Sequence, residues 1–395
     1  MVVESGDQFT FFLPPYVVFG RGTRNAIPGY AKRLGIKKAL LVVDPFFAET
    51  GYFTEVRDAL KSSGIEVTSW SGVVPDPTDI SVDNAVEAYR RDGCDGVVCV
   101  GGGSAMDTGK SVAVVIGSGS RSIREHTAPT NRSVGGMAPV ICVPTTSGTG
   151  AEVNPYAMVT NTETGRKGVG YPGWEMLAAQ RVAIVDPDLT SSMPAGLTAV
   201  TGMDALCQAL ECYLTKTPNP ISDALALRAM YLIAQNLKRA VYNGQDMKAR
   251  TNMSLAAMLA TMAFPNAGLS YPHFLSEPMA DAYHLSHGVA VGSVLIASLE
   301  ALLPFRTDRL AEVAKLFGVL EDGRSQREIA EAGIKEIQQL LKDIRFPSLS
   351  EAAGGTDKVD IEVFLKDAVD KKPQVLGAAA DQQRVRQILR RSLEL

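Results

Sequence analysis

Three of the four histidines in this 395-residue chain lie close together, in the segment HFLSEPMADAYHLSHG that contains His273, His284 and His287. Imidazoles concentrated in this way beside carboxylates are typical of divalent metal sites. Upstream, TGMDALCQALECY places Asp204 and Gln208 four residues apart, so both side chains point to the same side of a helix. Asp204, His273 and His287 could therefore hold a metal and leave positions open for a substrate. The alternative is that these histidines pack or cap helices.

A glycine-rich segment, GVVCVGGGSAMDTGKSVAV, runs from an apolar stretch through three glycines into a pattern that predicts a helix from Ser104. Such a turn lets backbone N–H groups and the positive end of the helix meet a phosphate without obstruction by Cβ atoms. It is not a GxGxxG motif, because Met106 stands at the third glycine position. It is not a P-loop, because five residues rather than four separate Gly103 from Gly109. The segment indicates a phosphate loop of another type, and a tight turn without a ligand is the alternative.

A second loop, PTTSGTGAE at residues 144–152, follows another apolar stretch and is rich in hydroxyl groups. Its hydroxyls and amides could bind a ribose or a diphosphate, although Ser, Thr and Gly loops often satisfy only their own backbone. Asp44 ends the run ALLVVD, where a parallel strand would deliver its carboxylate to the carboxyl edge of a sheet. There it could accept a hydrogen bond from a ribose hydroxyl and repel a 2′-phosphate, while a turn or helix-capping role is the alternative.

The elements that must position these residues change in character along the chain. In the first half, short β-branched runs alternate with amphipathic segments, which predicts βαβ units and a mostly parallel sheet. In the second half, residues 190–263 and 290–342 are rich in Ala, Leu, Met, Lys and Glu, which predicts helices. We expect an α/β dinucleotide-binding domain at residues 1–188 and an all-helical domain that carries the metal and catalytic residues at residues 189–395.

The amino-acid composition and charge of the chain indicate which classes of partner are expected. Hydrophobic residues make up 46% of the chain and charged residues 21%, as in ordinary globular proteins. The formal net charge of -4 includes no basic block or acidic tail, so neither nucleic acid nor an anionic membrane is an expected partner. The sequence shows no secretory signal pattern, no apolar run long enough to span a membrane and no CxxC pair. We expect a cytoplasmic protein with reduced cysteines and a small-molecule partner. His126 lies alone in a charged segment, and we expect its side chain to be solvated.

A series of short motifs resembles the iron-containing (group III) alcohol dehydrogenase family in order and spacing. These motifs are FGRG at 19–22, VVDP at 42–45, PDPT at 75–78, GGGSAMDTGK at 101–110, PTTSGTGAE at 144–152, GMDA at 202–205 and SHGVA at 286–290. The resemblance implies an N-terminal nucleotide-binding domain and a C-terminal helical domain, the architecture of dehydroquinate synthase, with the active site in the cleft between them. A homo-oligomer, in the form of a dimer, is also expected.

The resemblance implies NAD as the cofactor and assigns residues to it. The residues that would contact the diphosphate are Gly102, Gly103 and Ser104, and those that would line the nicotinamide side are Thr145, Thr146 and Thr149. Each of four further residues has its own implied contact: Asp44 would select NAD over NADP, Asp76 would lie near the adenosine ribose, Lys167 would touch the cofactor, and Leu189 would pack on it.

The family's metal ligands are an Asp and three His, and the corresponding positions here are Asp204, Gln208, His273 and His287. One ligand position has therefore changed. Gln208 offers a neutral amide oxygen in place of an imidazole, so we expect weaker metal binding. The family includes dehydrogenases with an Asp/His/His set and also reductases of acidic substrates that work without metal.

Glu277 stands where many members of the family carry a histidine that is thought to assist proton transfer. It is our candidate for relaying the alcohol proton to solvent, and a salt bridge or direct metal ligation is the alternative. Phe264, Tyr171 and Trp174 indicate a substrate pocket unlike that of members that act on simple alcohols. His287 and Phe264 join Glu277 as predicted active-site residues.

These observations predict an NAD(H)-dependent alcohol dehydrogenase or aldehyde reductase, in which a divalent metal, Fe²⁺ or Zn²⁺, acts as a Lewis acid on a small alcohol or aldehyde. A metal-independent reductase of an acidic substrate is one alternative, and a dehydroquinate synthase-like NAD-dependent cyclase or lyase is another. A phosphotransferase is suggested by GKS at 109–111 but opposed by the glycine spacing. A non-catalytic binding protein is disfavoured because the cofactor loops and the histidine cluster occur in one chain.

Overall fold

The computed structural model of the chain describes residues 8–12, 15–127, 130, 132–170, 181–371 and 379–395. The chain divides into two compact units. The unit that we call the sheet unit comprises Phe12–Thr146 and Gly150–Ser192. The helical unit comprises the described residues of Met193–Leu395, together with Ser147–Thr149 and residues 8–11. Ser147–Thr149 therefore belongs to the helical unit, although its neighbours in sequence belong to the sheet unit.

The sheet unit is organised around parallel strands. Its strands are β1 (Tyr16–Phe19), β2 (Lys38–Val43), β3 (Glu66–Trp70), β4 (Gly96–Gly101), β5 (Val140–Pro144), β6 (Tyr156–Asn161), β7 (Arg166–Gly170) and β8 (Arg181–Val185). Six of them form one sheet in the order β1-β8-β5-β4-β2-β3, and every pairing in it is parallel. The predicted α/β unit with a parallel sheet is confirmed.

Helices cover both faces of this sheet, since alternate residues of its strands point to opposite sides. Leu40 and Val42 pack in one apolar cluster with the helices Asp79–Arg91 and Gly103–Gly117, whereas Leu41 packs in another with helices on the opposite face. The remaining helices of the unit are Ile27–Arg33, Pro45–Ala48 and Gly51–Ser62, with 3-10 turns at Thr23–Ala26, Ile123–His126 and Pro187–Thr190.

The pairing register places three predicted cofactor segments next to one another. Val43 of β2 pairs with Val100 of β4, and Gly101 of β4 pairs with Pro144 of β5. Because the strands are parallel, the turns that follow them emerge at the carboxyl edge of the sheet, where α/β proteins bind their ligands. The turns after β2, β4 and β5 are therefore neighbours, and each carries residues predicted to bind the cofactor.

The sequence pattern missed three strands. The edge strand β1 has four residues, and the polar hairpin of β6 and β7 pairs antiparallel with an irregular register between Ala157 and Thr160. Short or irregular strands carry too little alternation of apolar and polar residues to be recognised.

The expectation that His126 is solvated was wrong. Its ring is fully buried, with Nε2 2.8 Å from the Ser120 hydroxyl and Nδ1 2.9 Å from the Arg132 carbonyl oxygen. Burial lowers the pKa of His126, which favours a neutral ring in this structural role.

The helical unit consists of helices packed around two apolar clusters. Its helices are Ala195–Leu214, Pro220–Tyr242, Met247–Ala267, Tyr271–Tyr283, His287–Ser293, Leu295–Leu302, Thr307–Leu316, Gln326–Asp343, Leu349–Ala352, Ile361–Lys371 and Ala379–Glu394, with 3-10 turns at Leu303–Phe305 and Thr356–Lys358. The first three are long and pack against one another with small residues such as Ala209 and Ala260 between them. The predicted all-helical second half is confirmed.

Among the helices that the structure describes, none by itself has the length and apolar composition of a membrane span. The consecutive pair His287–Ser293 and Leu295–Phe305, bent by 41°, meets the criterion when taken together. Its residues Val291 and Leu295 lie in the core of the helical unit, as in a core helix of a globular protein.

Candidate functional site

The glycine-rich segment forms a turn from β4 into a helix whose N-terminus carries no side-chain cap. Gly102 is the N-cap residue of Gly103–Gly117, and no acidic residue lies in the first turn. Gly102, Gly103 and Ser104 are partly exposed. The first N–H groups of a helix lack partners within the helix and carry partial positive charge. This turn has the chemistry of an anion site, and binding of the cofactor diphosphate there stays a prediction.

Asp44 caps a helix and at the same time packs against the glycine-rich turn. One of its carboxylate oxygens accepts a hydrogen bond of 2.7 Å from the Phe47 N–H. The other oxygen lies 2.6 Å from the point where a Cβ on Gly101 would stand, and Gly101 has φ +157°. A side chain at position 101 is therefore excluded by both the backbone and Asp44. The capping alternative for Asp44 is observed, and its contact with a ribose stays a prediction.

Two other residues predicted to contact the cofactor form an ion pair. Lys167 Nζ lies 3.3 Å from Asp76 Oδ1, and the Lys167 side chain is 15% exposed. Asp76 has φ +50°, a conformation in which Asp is better tolerated than most residues. Leu189, in contrast, is fully buried in the core of the sheet unit. Its packing on the cofactor stays a prediction.

The loop after β5 starts in the sheet unit and then crosses to the helical unit. The Thr145 N–H donates to the Gly101 carbonyl oxygen (2.8 Å), and a Cβ on Gly102 would stand 3.5 Å from the Thr146 methyl group. Thr145 and Thr146 therefore lie beside the glycine-rich turn, as expected of residues that bind the same cofactor. Their contact with nicotinamide stays a prediction.

Ser147–Thr149 packs on two long helices of the helical unit. The Ser147 and Ser254 hydroxyl groups lie 3.0 Å apart. A Cβ on Gly148 would stand 2.7 Å from the Thr201 Cβ, so glycine permits the close approach of the loop to the helix Ala195–Leu214. The Thr149 carbonyl oxygen accepts a hydrogen bond of 3.1 Å from the Thr261 hydroxyl. The loop is thus fixed by contacts within its own unit.

Three predicted metal ligands converge in the helical unit. Asp204 lies in the middle of Ala195–Leu214, His273 lies in the first turn of Tyr271–Tyr283, and His287 begins His287–Ser293. One donor atom from each lies within 4.8 Å of the others. The Asp204 Oδ1 atom is 3.4 Å from His273 Nε2 and 3.7 Å from His287 Nε2.

Small residues let these helices approach. Gly288 follows His287 directly, and a Cβ there would stand 2.7 Å from the Val200 side chain and 2.8 Å from its carbonyl oxygen. Any larger residue would push the helix that begins at His287 away from the helix that carries Asp204. The SHGVA motif therefore contributes both His287 and the glycine that lets its helix lie close to the helix of Asp204.

Glu211, which the sequence patterns did not single out, holds His273 in place. Its Oε1 lies 2.5 Å from His273 Nδ1, and its Oε2 accepts hydrogen bonds from the Ser270 N–H (2.6 Å) and hydroxyl group (3.2 Å). Glu211 thereby also caps a helix whose N-cap residue, Ser270, provides no side-chain cap. A Nδ1–H that donates to Glu211 leaves Nε2 as the ring nitrogen that faces Asp204.

The charges of this cluster depend on one another. Burial opposes a charge on His273, but Glu211 and then Asp204 outweigh it and raise the pKa of His273 to about 10. Burial likewise opposes ionisation of Asp204, yet the His273 hydrogen bond and the His287 charge hold the pKa of Asp204 below its ordinary value. Both carboxylate residues, Asp204 and Glu211, are 2% exposed.

The fourth predicted ligand position, Gln208, faces Asp204 through its amide group. Gln208 Nε2 lies 3.3 Å from Asp204 Oδ1, and the Thr261 hydroxyl lies 2.8 Å from Gln208 Oε1. Gln208 and Thr261 are 4% and 0% exposed. The side chain is thus held at the edge of the Asp204 cluster by a residue of a third helix.

Other predicted residues lie apart from the cluster or are not described. His284 is exposed and ends its helix in the left-handed conformation, with φ +53°. Glu277, one turn after His273 on the same helix, is half-buried and is not a member of the donor cluster. Phe264 is half-buried on the helix Met247–Ala267, against the main apolar cluster. Tyr171 and Trp174 lie outside the described residues.

The residues of the cluster fit a divalent metal. A bound metal would take the place of the imidazole proton, and it would supply the positive charge that buried carboxylates such as Asp204 and Glu211 require. Nitrogen and oxygen donors about 2.1 Å from a tetrahedral metal lie about 3.4 Å from one another. The distances from Asp204 to the two imidazoles, 3.4 and 3.7 Å, are close to that value. Two histidines and one carboxylate form a donor set that leaves positions open, as in Fe²⁺ and Zn²⁺ sites.

Comparison with known families shows two adjoining matches. Residues 14–187 match the family model described as iron-containing alcohol dehydrogenase. Residues 198–393 match the model for the C-terminal part of the Fe-containing alcohol dehydrogenase family. The first match contains the glycine-rich turn, and the second contains the Asp204 cluster.

Individual proteins resemble the chain over nearly its whole length. The NAD-dependent methanol dehydrogenase of Bacillus methanolicus is 37% identical over 385 residues, which cover 97% of this chain and 99% of the relative. The solved structure of a 1,3-propanediol oxidoreductase matches with a TM-score of 0.88 and 33% identity, over 98% of this chain and all of its own. Sulfoacetaldehyde reductase from Bifidobacterium kashiwanohense, solved in complex with NAD+, matches with a TM-score of 0.86 and 27% identity, over 98% and 99% of the two chains.

Proposed function

The chain belongs to the iron-containing alcohol dehydrogenase family of oxidoreductases, and from that membership we propose that it interconverts a small alcohol and its aldehyde by hydride transfer with NAD(H). The observation that carries the proposal is the cluster of Asp204, His273 and His287, whose donor atoms converge within 4.8 Å around the buried Asp204 carboxylate. In this proposal the cluster holds Fe²⁺ or Zn²⁺. A divalent metal there would supply Lewis acidity at the substrate oxygen.

The residues of the cluster have separate tasks in this proposal. Asp204 supplies the anionic donor, and its low pKa keeps it ionised at neutral pH. His273 donates through Nδ1–H to Glu211 and presents Nε2, so the ring cannot turn away. His287 presents its ring from a side chain that is 45% exposed, which makes it the side of the cluster that solvent and small molecules reach.

NAD is the proposed cofactor because of the three turns at the carboxyl edge of the sheet. The uncapped helix N-terminus at Gly102 suits a diphosphate. Asp44 places a carboxylate directly beside that turn, where it would repel the 2′-phosphate of NADP. Two of the similar proteins are named as NAD-dependent or as a complex with NAD+, which supports the same choice.

Glu277 is the proposed proton relay. It lies one helical turn after His273, and as a half-buried carboxylate it has a path to solvent that the buried Asp204 and Glu211 lack. A carboxylate in this position can pass the alcohol proton outward as the aldehyde forms. Glu277→Gln keeps the shape of the side chain and removes the ionisable group, so turnover should fall while NADH affinity is retained.

The proposed function is tested by following NADH absorbance with a panel of aldehydes. The panel contains formaldehyde, 3-hydroxypropionaldehyde, lactaldehyde and, as an anionic member, sulfoacetaldehyde. Net consumption of NADH supports a dehydrogenase, because a cyclase of dehydroquinate synthase type returns the hydride within one cycle. His287→Ala should lose metal and activity together. His284→Asn is the matched control, since His284 lies outside the cluster and Asn tolerates its left-handed conformation.

A metal-independent reductase of an acidic substrate is the second candidate. The observation that favours it is the amide of Gln208, which stands in place of an imidazole donor and faces Asp204 through Nε2. This candidate predicts that sulfoacetaldehyde is the preferred aldehyde and that His287→Ala keeps activity. Loss of activity in His287→Ala with retained NADH binding would exclude it.

A further inference from the structure

The Thr261 hydroxyl group contacts two acceptors but has one proton to donate. It lies 2.8 Å from Gln208 Oε1 and 3.1 Å from the Thr149 carbonyl oxygen, and the residue is fully buried. A hydroxyl has one O–H donor and two acceptor lone pairs, so it cannot satisfy both oxygens at once. One of the two oxygens therefore cannot receive a hydrogen bond from Thr261, and Gln208 Oε1 belongs to a side chain that is 4% exposed.

Turning the Gln208 amide by half a rotation resolves this conflict. The oxygen and nitrogen of a glutamine amide have nearly the same shape, and their assignment follows from the surrounding hydrogen bonds. In the turned orientation the Gln208 NH₂ group donates to the Thr261 oxygen, and the Thr261 proton goes to the Thr149 carbonyl. The Thr261 hydroxyl then accepts one hydrogen bond and donates another, as its single proton allows.

The turned amide has a consequence at Asp204. It brings Gln208 Oε1 to the place now taken by Nε2, 3.3 Å from Asp204 Oδ1. Two oxygens at that distance, one of them anionic, repel each other unless a cation lies between them. The metal-free cluster therefore favours Nε2 toward Asp204, and a cluster with a cation favours Oε1 toward it.

We propose that Thr261 is the positioning residue that turns the Gln208 amide oxygen toward the metal and, in the same state, donates its proton to the Thr149 carbonyl. This inference rests on the proposed function, because it requires a metal at Asp204, His273 and His287. It assigns to Gln208 the role of a neutral oxygen ligand whose orientation is set from the helix Met247–Ala267. It also links metal binding to the anchoring of Ser147–Thr149.

The test is the affinity for Zn²⁺, measured by chelator competition on the full-length chain without substrate or cofactor. Thr261→Val keeps the shape of the side chain and removes the hydroxyl, so the turned amide loses the acceptor for its NH₂ group. We expect Zn²⁺ affinity to fall by about tenfold or more, in the range typical for residues that orient metal ligands. Thr261→Ser restores the hydroxyl and should restore the affinity. Thr261→Ala serves the same comparison if Val lowers the yield of folded protein.

If the Gln208 amide keeps the opposite orientation, removal of the Thr261 hydroxyl should have a different effect on Zn²⁺ affinity. If Gln208 kept Nε2 toward Asp204 in the metal-bound state, removing the Thr261 hydroxyl would free Oε1 to turn, and Zn²⁺ affinity would stay equal or rise. Either result would overturn the proposal.

A double-variant cycle separates this role from a general loss of packing. In a Gln208→Ala background the amide is absent, so Thr261→Val should cause no further loss of Zn²⁺ affinity. An equal loss with and without Gln208 would overturn the proposal and leave the metal-assisted function intact. A wild-type chain that binds no Zn²⁺ would overturn both the role of Thr261 and the metal-assisted function. Failure of the Thr261 proposal alone can therefore be told apart from failure of the proposed function.

Discussion

The His273 Nδ1 atom lies 2.5 Å from the Glu211 Oε1 atom, and Glu211 occupies the same helix as Asp204. One helix therefore provides both the anionic donor of the cluster and the carboxylate that orients an imidazole donor. Carboxylate–histidine–metal arrangements of this kind fix the ring tautomer and raise the basicity of the ligand nitrogen. Loss of the Glu211 charge should therefore disturb the orientation of the His273 ring.

Glu211→Gln should weaken metal binding by about 10- to 100-fold. The Gln amide can present its oxygen either to His273 or to the Ser270 N–H, so one of the two donors meets an NH₂ group instead. Zn²⁺ affinity measured by chelator competition checks this. Glu300→Gln is the matched control, because Glu300 pairs with Arg391 on the same unit outside the cluster and should leave affinity unchanged. Equal affinities of both variants would contradict the role of Glu211.

Gly102→Ala should weaken NADH binding while leaving the fold unchanged. A Cβ at this position fits the protein, since its nearest neighbour would be the Thr146 methyl group at 3.5 Å, but it occupies the space above the helix N-terminus. Loss of one charge-assisted hydrogen bond to a phosphate is worth about 1.5–3 kcal/mol, or roughly tenfold or more in Kd. Fluorescence titration with NADH measures it. Gly51→Ala, at another helix start with open space, should bind NADH normally.

Asp44→Asn should raise the use of NADPH relative to NADH. Asn retains the ability to cap the helix through its side-chain oxygen, whereas the negative charge that would repel a 2′-phosphate is removed. The ratio of kcat/KM for the two cofactors should shift toward NADPH by about tenfold, which corresponds to about 1.4 kcal/mol. An unchanged ratio in a variant with unchanged thermal stability would assign Asp44 to capping alone.

Glu152 should make the stability of the sheet unit depend on pH. It is 4% exposed, and burial, opposed by Lys110 and Arg181, raises the pKa of Glu152 to about 7 from 4.5. A raised pKa in the folded state means that stability is fully present below pH 4.5 and is lost as pH rises toward 7. Glu152→Gln removes this dependence, so its stability relative to wild type should rise by about 3 kcal/mol between pH 4.5 and pH 8.

Denaturant unfolding at several pH values checks this expectation. The exposed Glu66 provides the control, since its side chain is 76% exposed and Glu66→Gln should show little change with pH. A Glu152→Gln variant whose stability follows that of wild type at every pH would show that the buried carboxylate is already ionised in the folded state below pH 7.

The sequence predicted the parallel sheet because its central strands are β-branched runs that are buried on both faces. It predicted that Asp204 and Gln208 share a helix face because their spacing equals about one helical turn. It identified the histidine-rich segment, but the segment alone could not show that His287 joins Asp204 and His273 whereas His284 ends a helix outside that cluster. That difference depends on the chain reversal between two helices.

Other parts of the site depend on contacts that no local pattern reports. Glu211 could have been found from its spacing, since it lies two helical turns after Asp204 on the same face. Thr261 could not, because it reaches Gln208 from a helix 53 residues further along the chain. His126 was placed wrongly because charged neighbours such as Arg124 and Glu125 suggested exposure, whereas its ring is buried under them.

The most direct measurement of metal-assisted hydride transfer is the rate of NADH-dependent aldehyde reduction before chelation, after exhaustive chelation, and after Fe²⁺ or Zn²⁺ is added back, with metal content determined at each stage. A site with two imidazoles, one carboxylate and an amide should release its metal readily. We expect activity and metal content to fall together and return together, and the His287→Ala variant to regain neither. Full activity in a chain that contains no metal would contradict the metal-assisted mechanism.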